Sequence, residues 1–187
     1  MPELVKLREP YKPLLPPCAN KFLSEIVGSG IRVLEFGSGA STLWFAQQGC
    51  EVVSVEHDRQ WAAYLKKLMR GKGFNVDLVV TKKEQFPDVV SQWDDDSFDL
   101  VFVDCWSRIR NQCVEAARSK VRMDGWLLLD DTQWSLLRPS VKLLSTWDRW
   151  DFCGIVVRDG KQIIKRNVEH LNPQATVEVT RCTFWQR

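Results

Sequence analysis

Residues 33–42 read Val33-Leu34-Glu35-Phe36-Gly37-Ser38-Gly39-Ala40-Ser41-Thr42, and the reading of this stretch decides the fold. Ile31, Val33, Leu34 and Phe36 form a short apolar run, the pattern of a buried strand. Gly37 and Gly39 follow directly. Glycine allows backbone angles and close approach that a side chain blocks. Ser41 and Thr42 suit a helix N-cap. The stretch therefore reads as strand, tight glycine turn and helix N-terminus. Such a turn offers free backbone N–H groups and the positive end of a helix dipole to a ligand.

The residues around the turn narrow the ligand. A dinucleotide turn places glycines as Gly-x-Gly-x-x-Gly, the third one for close helix–strand packing. Here that third position is Thr42. An acid, Glu35, stands two residues before the first glycine; read as pointing into the mouth above the strand, it would repel a pyrophosphate and attract an ammonium or sulfonium. A second acid, Glu56, closes the next apolar run, Val52-Val53-Ser54-Val55. It falls about 20 residues after the turn, the spacing at which an acid grips a ribose hydroxyl pair. A ribose at one end and a charged amino acid at the other describe S-adenosylmethionine.

Four segments extend this reading: Val-Leu-Glu-Phe-Gly-Ser-Gly (33–39), Val-Ser-Val-Glu-His-Asp (53–58), Ser-Phe-Asp-Leu-Val-Phe-Val-Asp (97–104) and Met-Asp-Gly-Trp-Leu-Leu-Leu-Asp-Asp (123–131). In order and spacing the chain resembles the class I S-adenosylmethionine-dependent methyltransferases, over about its central 100 residues. Within them it is most similar to small enzymes of the catechol O-methyltransferase-like type. The resemblance implies an α/β Rossmann-like fold: a doubly wound, mostly parallel seven-stranded sheet with an antiparallel C-terminal strand.

Composition is that of an ordinary globular protein. The chain has 187 residues, 44% hydrophobic and 27% charged, with a net charge of +2. One methyltransferase-like domain over 1–187 is expected at this length. It divides into a Pro-rich irregular lead-in (1–17), an α/β core (18–150) and a β-rich end (151–187). Near-neutral charge argues against nucleic acid as a partner, since binders carry a strongly basic face. No apolar stretch approaches the roughly 20 residues of a membrane span, and the N-terminus lacks the apolar core of a signal peptide. The six cysteines show no paired spacing and read as reduced thiols of a cytoplasmic protein.

Periodicity places the elements. Helices are expected over 18–28, 41–48, 59–70, 107–121 and 139–149, the last with Trp147 and Trp150 at helical spacing. Strands are expected over 31–36, 51–56, 75–81, 98–104 and 126–130, nearly continuous in apolar residues as a parallel, doubly covered sheet requires. Residues 152–157 and 162–165, around Asp159-Gly160, read as a hairpin. Residues 176–185 alternate as a last strand.

Candidate residues follow. Glu35, Phe36, Gly37, Ser38, Gly39, Ser41 and Thr42 form the cofactor turn; the resemblance implies that its backbone holds the methionine part and that the acid assists the ammonium. Glu56 can accept both ribose hydroxyls, and His57 packs against adenine or lies exposed. The resemblance places adenine contacts in the loop after the third strand, where Glu84 is the candidate. Asp104, Asp130 and Asp131 close apolar strands at the edge where open α/β sheets put their sites. Asp104 and Asp131 are the candidate bases, with Asp104 also beside the cofactor. Catechol-type relatives hold a divalent ion with acids here and an asparagine as last ligand. Asp131 takes that asparagine's place and the lysine common after the first acid is missing, so no metal is expected. Trp106 and Trp134 follow these acids and are expected to face either a flat aromatic acceptor or a second copy of the chain in a homodimer. The activity expected is methyl transfer to a small molecule, an aromatic hydroxyl among the options. The alternatives are a non-catalytic binding module of the same fold and an NAD-dependent oxidoreductase.

Overall fold

The computed structural model describes residues 6–159, 162–166 and 177–187. In chain order the elements are α1 Pro17–Ile26, β1 Arg32–Phe36, α2 Ala40–Gln47, β2 Glu51–Glu56, α3 Arg59–Met69, β3 Val76–Val80, β4 Phe98–Val103, α4 Arg110–Ala117, β5 Val121–Leu129, α5 Arg138–Leu143, β6 Asp148–Asp159, β7 Gln162–Arg166 and β8 Val177–Gln186. Among the described residues the strands form one sheet in the order β3-β2-β1-β4-β5-β8-β6-β7. Strands β1 to β5 pair in parallel, and β8, β6 and β7 pair antiparallel beyond β5. The doubly wound sheet with an antiparallel end is thus present. Its count is eight rather than seven, because β6 pairs with β8 on one side and β7 on the other. The turn of that hairpin at Gly160 lies outside the described residues.

Strand alternation sorts the core onto two faces. Leu34, Phe36, Val53, Val55, Val101, Val103, Leu127 and Leu129 pack on one face with α4 residues Cys113 and Val114. Val33, Val52, Leu100, Phe102 and Leu128 pack on the other, with α1 and Phe45 of α2. Beside it, Leu43 of α2 meets Ala62 and Leu65 of α3.

Several bounds differ from expectation: β5 begins at Val121 rather than 126, and α4 covers 110–117 rather than 107–121. The helix read over 139–149 stops at Leu143, and Trp150 lies on β6, its ring 5.0 Å from Trp126. Pairing of Asp148 onward with β8 overrides the helical Trp spacing. The lead-in has no helix or strand over 6–16 but is packed: Tyr11 and Leu15 are buried.

Chain order reverses between β1 and β4. Strands β2 and β3 lie on one side of that boundary, β4 and β5 on the other, and the crevice at such a switch point is where open α/β sheets bind ligands.

Candidate functional site

The glycine turn leaves β1 over the end of β4. Gly37 takes φ +98°, and a Cβ there would lie 2.5 Å from the Asp104 carbonyl oxygen. Only glycine fits. Gly39 differs: its φ is −173°, and a Cβ would meet nothing within 4 Å. It serves as the N-cap of α2, so Ser41 and Thr42 fall inside the first turn rather than capping it.

The turn is pinned from several sides. Gly37 N–H donates to the Val55 carbonyl (2.9 Å) and Asp104 N–H to the Phe36 carbonyl (3.0 Å). Ser38 N–H donates to Glu56 Oε2 (3.2 Å), Gly39 N–H to Thr42 Oγ1 (2.8 Å), and the Trp61 indole N–H to the Ser38 carbonyl (2.8 Å). So three N–H groups expected to face a ligand are spent internally. Ala40 and Ser41 N–H have no acceptor among the described residues and stand at the mouth.

Glu35 does not point into that mouth. It pairs in register with Ser54 on β2, and alternation turns its side chain to the α2 face of the sheet, opposite Leu34 and Phe36. Its carboxylate is wholly buried and accepts from Ser41 Oγ, Thr42 Oγ1 (2.5 Å) and Ser54 Oγ (2.6 Å). Ser38 Oγ lies 2.6 Å from Ser54 Oγ and extends the network into the turn. Burial pushes the Glu35 carboxyl up to about 7, against the three hydroxyls that pull it down. Phe36 and Thr42 are likewise wholly buried. None of these three lines the cleft; they support the turn from below.

The cleft above β1 and β4 has a volume of about 240 Å³. Gly37 to Ser41 form one wall, and Glu56, His57, Lys83 and Phe86 another. Asp104, Cys105 and Trp106 close it, with Leu14 of the lead-in. Glu84 is exposed and outside it; the short 3₁₀ turn over Lys83–Gln85 presents its neighbours Lys83 and Phe86 instead. Glu56 is buried at the end of β2. Its Oε1 accepts from His57 N–H (2.7 Å) and Asp58 N–H (2.8 Å) and lies 2.8 Å from His57 Nδ1. Among the described residues Oε2 accepts only Ser38 N–H, which leaves it capacity for one more donor.

Asp104, Asp130 and Asp131 converge, with one carboxylate oxygen from each within 4.8 Å of the others. A cation already sits among them. Arg110, at the start of α4, donates to Asp104 Oδ1 (2.7 Å) and Asp131 Oδ2 (3.2 Å), and to the backbone carbonyls of Asp130 and Cys105 (2.7 Å each). Its side chain is 6% exposed. Burial disfavours the charged guanidinium, but the surrounding carboxylates outweigh this and raise its pKa. The Trp134 ring covers it, 5.5 Å from the guanidinium carbon. A divalent ion at these acids would meet a fixed positive charge, so the donor set does not fit a catechol-type metal. Of the two candidate bases, Asp104 lines the cleft and Asp131 does not. The exposed Trp106 and Trp134 rings border clefts and are flanked by cations, Lys83 lying over Trp106 at 5.1 Å. Sequence reasoning missed Arg110, because it read the helix after Asp104 by its apolar positions. It missed Trp61's indole for the same reason.

Comparison with known proteins agrees with this fold. The chain resembles solved structures that include an O-methyltransferase from Bacillus cereus in complex with SAH (17% identity, 91% of this chain and 81% of that one, TM-score 0.64). It also resembles a precorrin-6y C5,15-methyltransferase from Geobacter metallireducens GS-15 (17% identity, 87% and 85%, TM-score 0.62). A precorrin 8w decarboxylase from Methanobacterium thermoautotrophicum is similar as well (13% identity, 91% and 88%, TM-score 0.64). At these identities the likeness is one of fold. No curated protein matches significantly. The family model described as a methyltransferase domain matches residues 34–132, from β1 through the end of β5, and on that match the chain belongs to the methyltransferase domain family.

Proposed function

We propose that this methyltransferase moves the methyl group of S-adenosylmethionine to a small-molecule acceptor, over the carboxyl ends of β1 and β4. The observation that carries the reading is Glu56, buried on the cleft wall and bonded through Oε2 to the turn it faces. S-adenosylmethionine supplies, when bound, a sulfonium carbon open to displacement. Glu56 Oε2 is placed to accept a ribose hydroxyl. Ala40 and Ser41 N–H, at the N-terminus of α2, suit the carboxylate of the methionine part. His57 and Phe86, their rings 6.3 Å apart, offer an apolar wall for adenine. Glu35 acts from below, as a positioning residue for the turn.

Displacement at the sulfonium needs alignment more than acid–base chemistry, and positioning can supply several kcal/mol, up to ~10. Asp104 is the acid placed to meet the cofactor or to receive a proton from an oxygen acceptor. Asp131 shares the Arg110 cluster with it and holds that cluster together. A hydroxyl on an aromatic ring is the acceptor we favour, because Trp106 gives the cleft a flat face beside Asp104. The transfer is assigned as metal-free on the ground that Arg110 occupies the acid cluster. We place the protein in the cytoplasm on its unpaired cysteine spacing.

The test is a screen of phenols with S-adenosylmethionine in a chelating buffer, following S-adenosylhomocysteine release. Release with at least one phenol is expected. Tight product binding without turnover of any acceptor would replace the enzyme with the binding-module reading.

A further inference from the structure

A second cleft lies between α5 and the outer strands β6 and β8, with a volume of about 610 Å³. It shares no lining residue with the cleft at the glycine turn. Between them stands Arg110, which joins Asp104 on one side to Asp131 on the other; Thr132, next in the chain, begins the second lining. This second cleft has no part in the reading given above.

Its chemistry is one-sided. Arg138, Lys142, Arg149 and Arg181 line it, and no Asp or Glu does among the described residues. Asp151 stands nearby but is turned to Arg149 (2.9 Å) and to the Thr183 hydroxyl (2.6 Å). Arg138 and Lys142 are exposed at the rim. Alternation along β8 places Arg181, Thr183 and Trp185 on one face, with Cys182 and Phe184 on the other.

Two buried donors on this wall are unsatisfied. Trp185 is wholly buried, and its indole Nε1 has no hydrogen-bond partner; nor has Arg181 Nε. A buried donor left without an acceptor is costly, and nearly all such groups in folded proteins find one. Trp134 and Trp147 add aromatic faces to the same lining, while the Trp185 ring is covered by Arg149, 5.8 Å away. Cations together with aromatic walls select a flat ring that carries an acceptor-only anionic group.

We propose that this cleft is a second binding site, for a planar aromatic molecule bearing a carboxylate. The Arg181 guanidinium pairs with the carboxylate, Arg138 and Lys142 draw the anion in from the rim, and the ring lies against Trp134 and Trp147.

The probe is 2-naphthoate, titrated calorimetrically into the full chain, with 2-naphthalenemethanol and inorganic phosphate as comparisons. Saturable 1:1 binding of 2-naphthoate is expected, at least tenfold tighter than either comparison, and unchanged by saturating S-adenosylhomocysteine. Arg181→Gln is expected to weaken it tenfold or more. The exposed pair Arg138→Gln and Lys142→Gln is expected to weaken it severalfold. Absence of saturable binding overturns the proposal, as does equal binding of the neutral alcohol or of phosphate alone. Affinity unchanged in both sets of variants overturns it too. The methyltransferase reading is judged separately, since S-adenosylhomocysteine binding is measured in the same samples.

Discussion

Glu35 shows how a residue can be right in identity and wrong in direction. Its position before the glycines was legible, and so was its place at the site. Its direction was not, because that depends on which sheet face meets α2, and β1 is buried on both. The consequence is a carboxyl held below the turn by Ser41, Thr42 and Ser54. Burial lifts it from 4.5 to about 7, so the folded chain binds its proton more tightly than the unfolded chain. Its stabilising contribution is complete below pH 4.5 and is lost as pH rises through about 7. Urea unfolding of the parent and Glu35→Gln across this window is expected to move the difference toward the variant by about 3 kcal/mol. A difference independent of pH would refute the lifted carboxyl. The glycines offer a second check. Gly37 takes a positive φ and Gly39 does not. Gly37→Ala is predicted to cost about 1–3 kcal/mol of folding stability and to disrupt the cleft, whereas Gly39→Ala should leave the unfolding curve unchanged. Equal stability of the two variants would contradict the assignment.

At the scale of elements, α1 to α3 were located within one or two residues, and apolar runs located β1 to β4, while β5 begins five residues before its expected start. What the patterns hid were polar contacts made by residues on otherwise ordinary helices. Trp61 lies among the apolar positions of α3, yet its indole N–H holds the Ser38 carbonyl. Trp61→Phe keeps the ring and removes that bond. It should weaken S-adenosylhomocysteine binding about fivefold, or about 1 kcal/mol, with little change in unfolding; unaltered affinity would exclude α3 from shaping the turn. Arg110 opens α4 and neutralises an acid cluster whose members were legible at the ends of two strands, though their cation was not. Arg110→Ala leaves those carboxylates uncompensated and should destabilise by roughly 3–5 kcal/mol. Millimolar Mg²⁺ should then raise the melting temperature of the variant and not that of the parent. A rise in the parent would return the metal to the cluster.

Across the whole molecule, the order of motifs was enough for the doubly wound sheet, because a parallel sheet with covered faces leaves few ways to connect its strands. The antiparallel end was legible in outline; the place of Trp150 was not, since β6 exists through pairing with β8, far along the chain. The two clefts were the least visible, each drawing its lining from distant segments, Leu14 and Trp106 in one, Arg138 and Trp185 in the other. The central claim is that the cleft between Glu56 and the glycine turn holds S-adenosylmethionine without a metal. Its most direct test is calorimetric titration of S-adenosylhomocysteine, with NAD in parallel, into the parent and Glu56→Ala, with and without a chelator. The account predicts 1:1 binding in the parent, unaffected by the chelator. It predicts a loss of about 2–3 kcal/mol in the folded variant, or 30- to 150-fold in affinity. A parent that binds NAD instead, binding that the chelator abolishes, or a folded Glu56→Ala with undiminished affinity would contradict it.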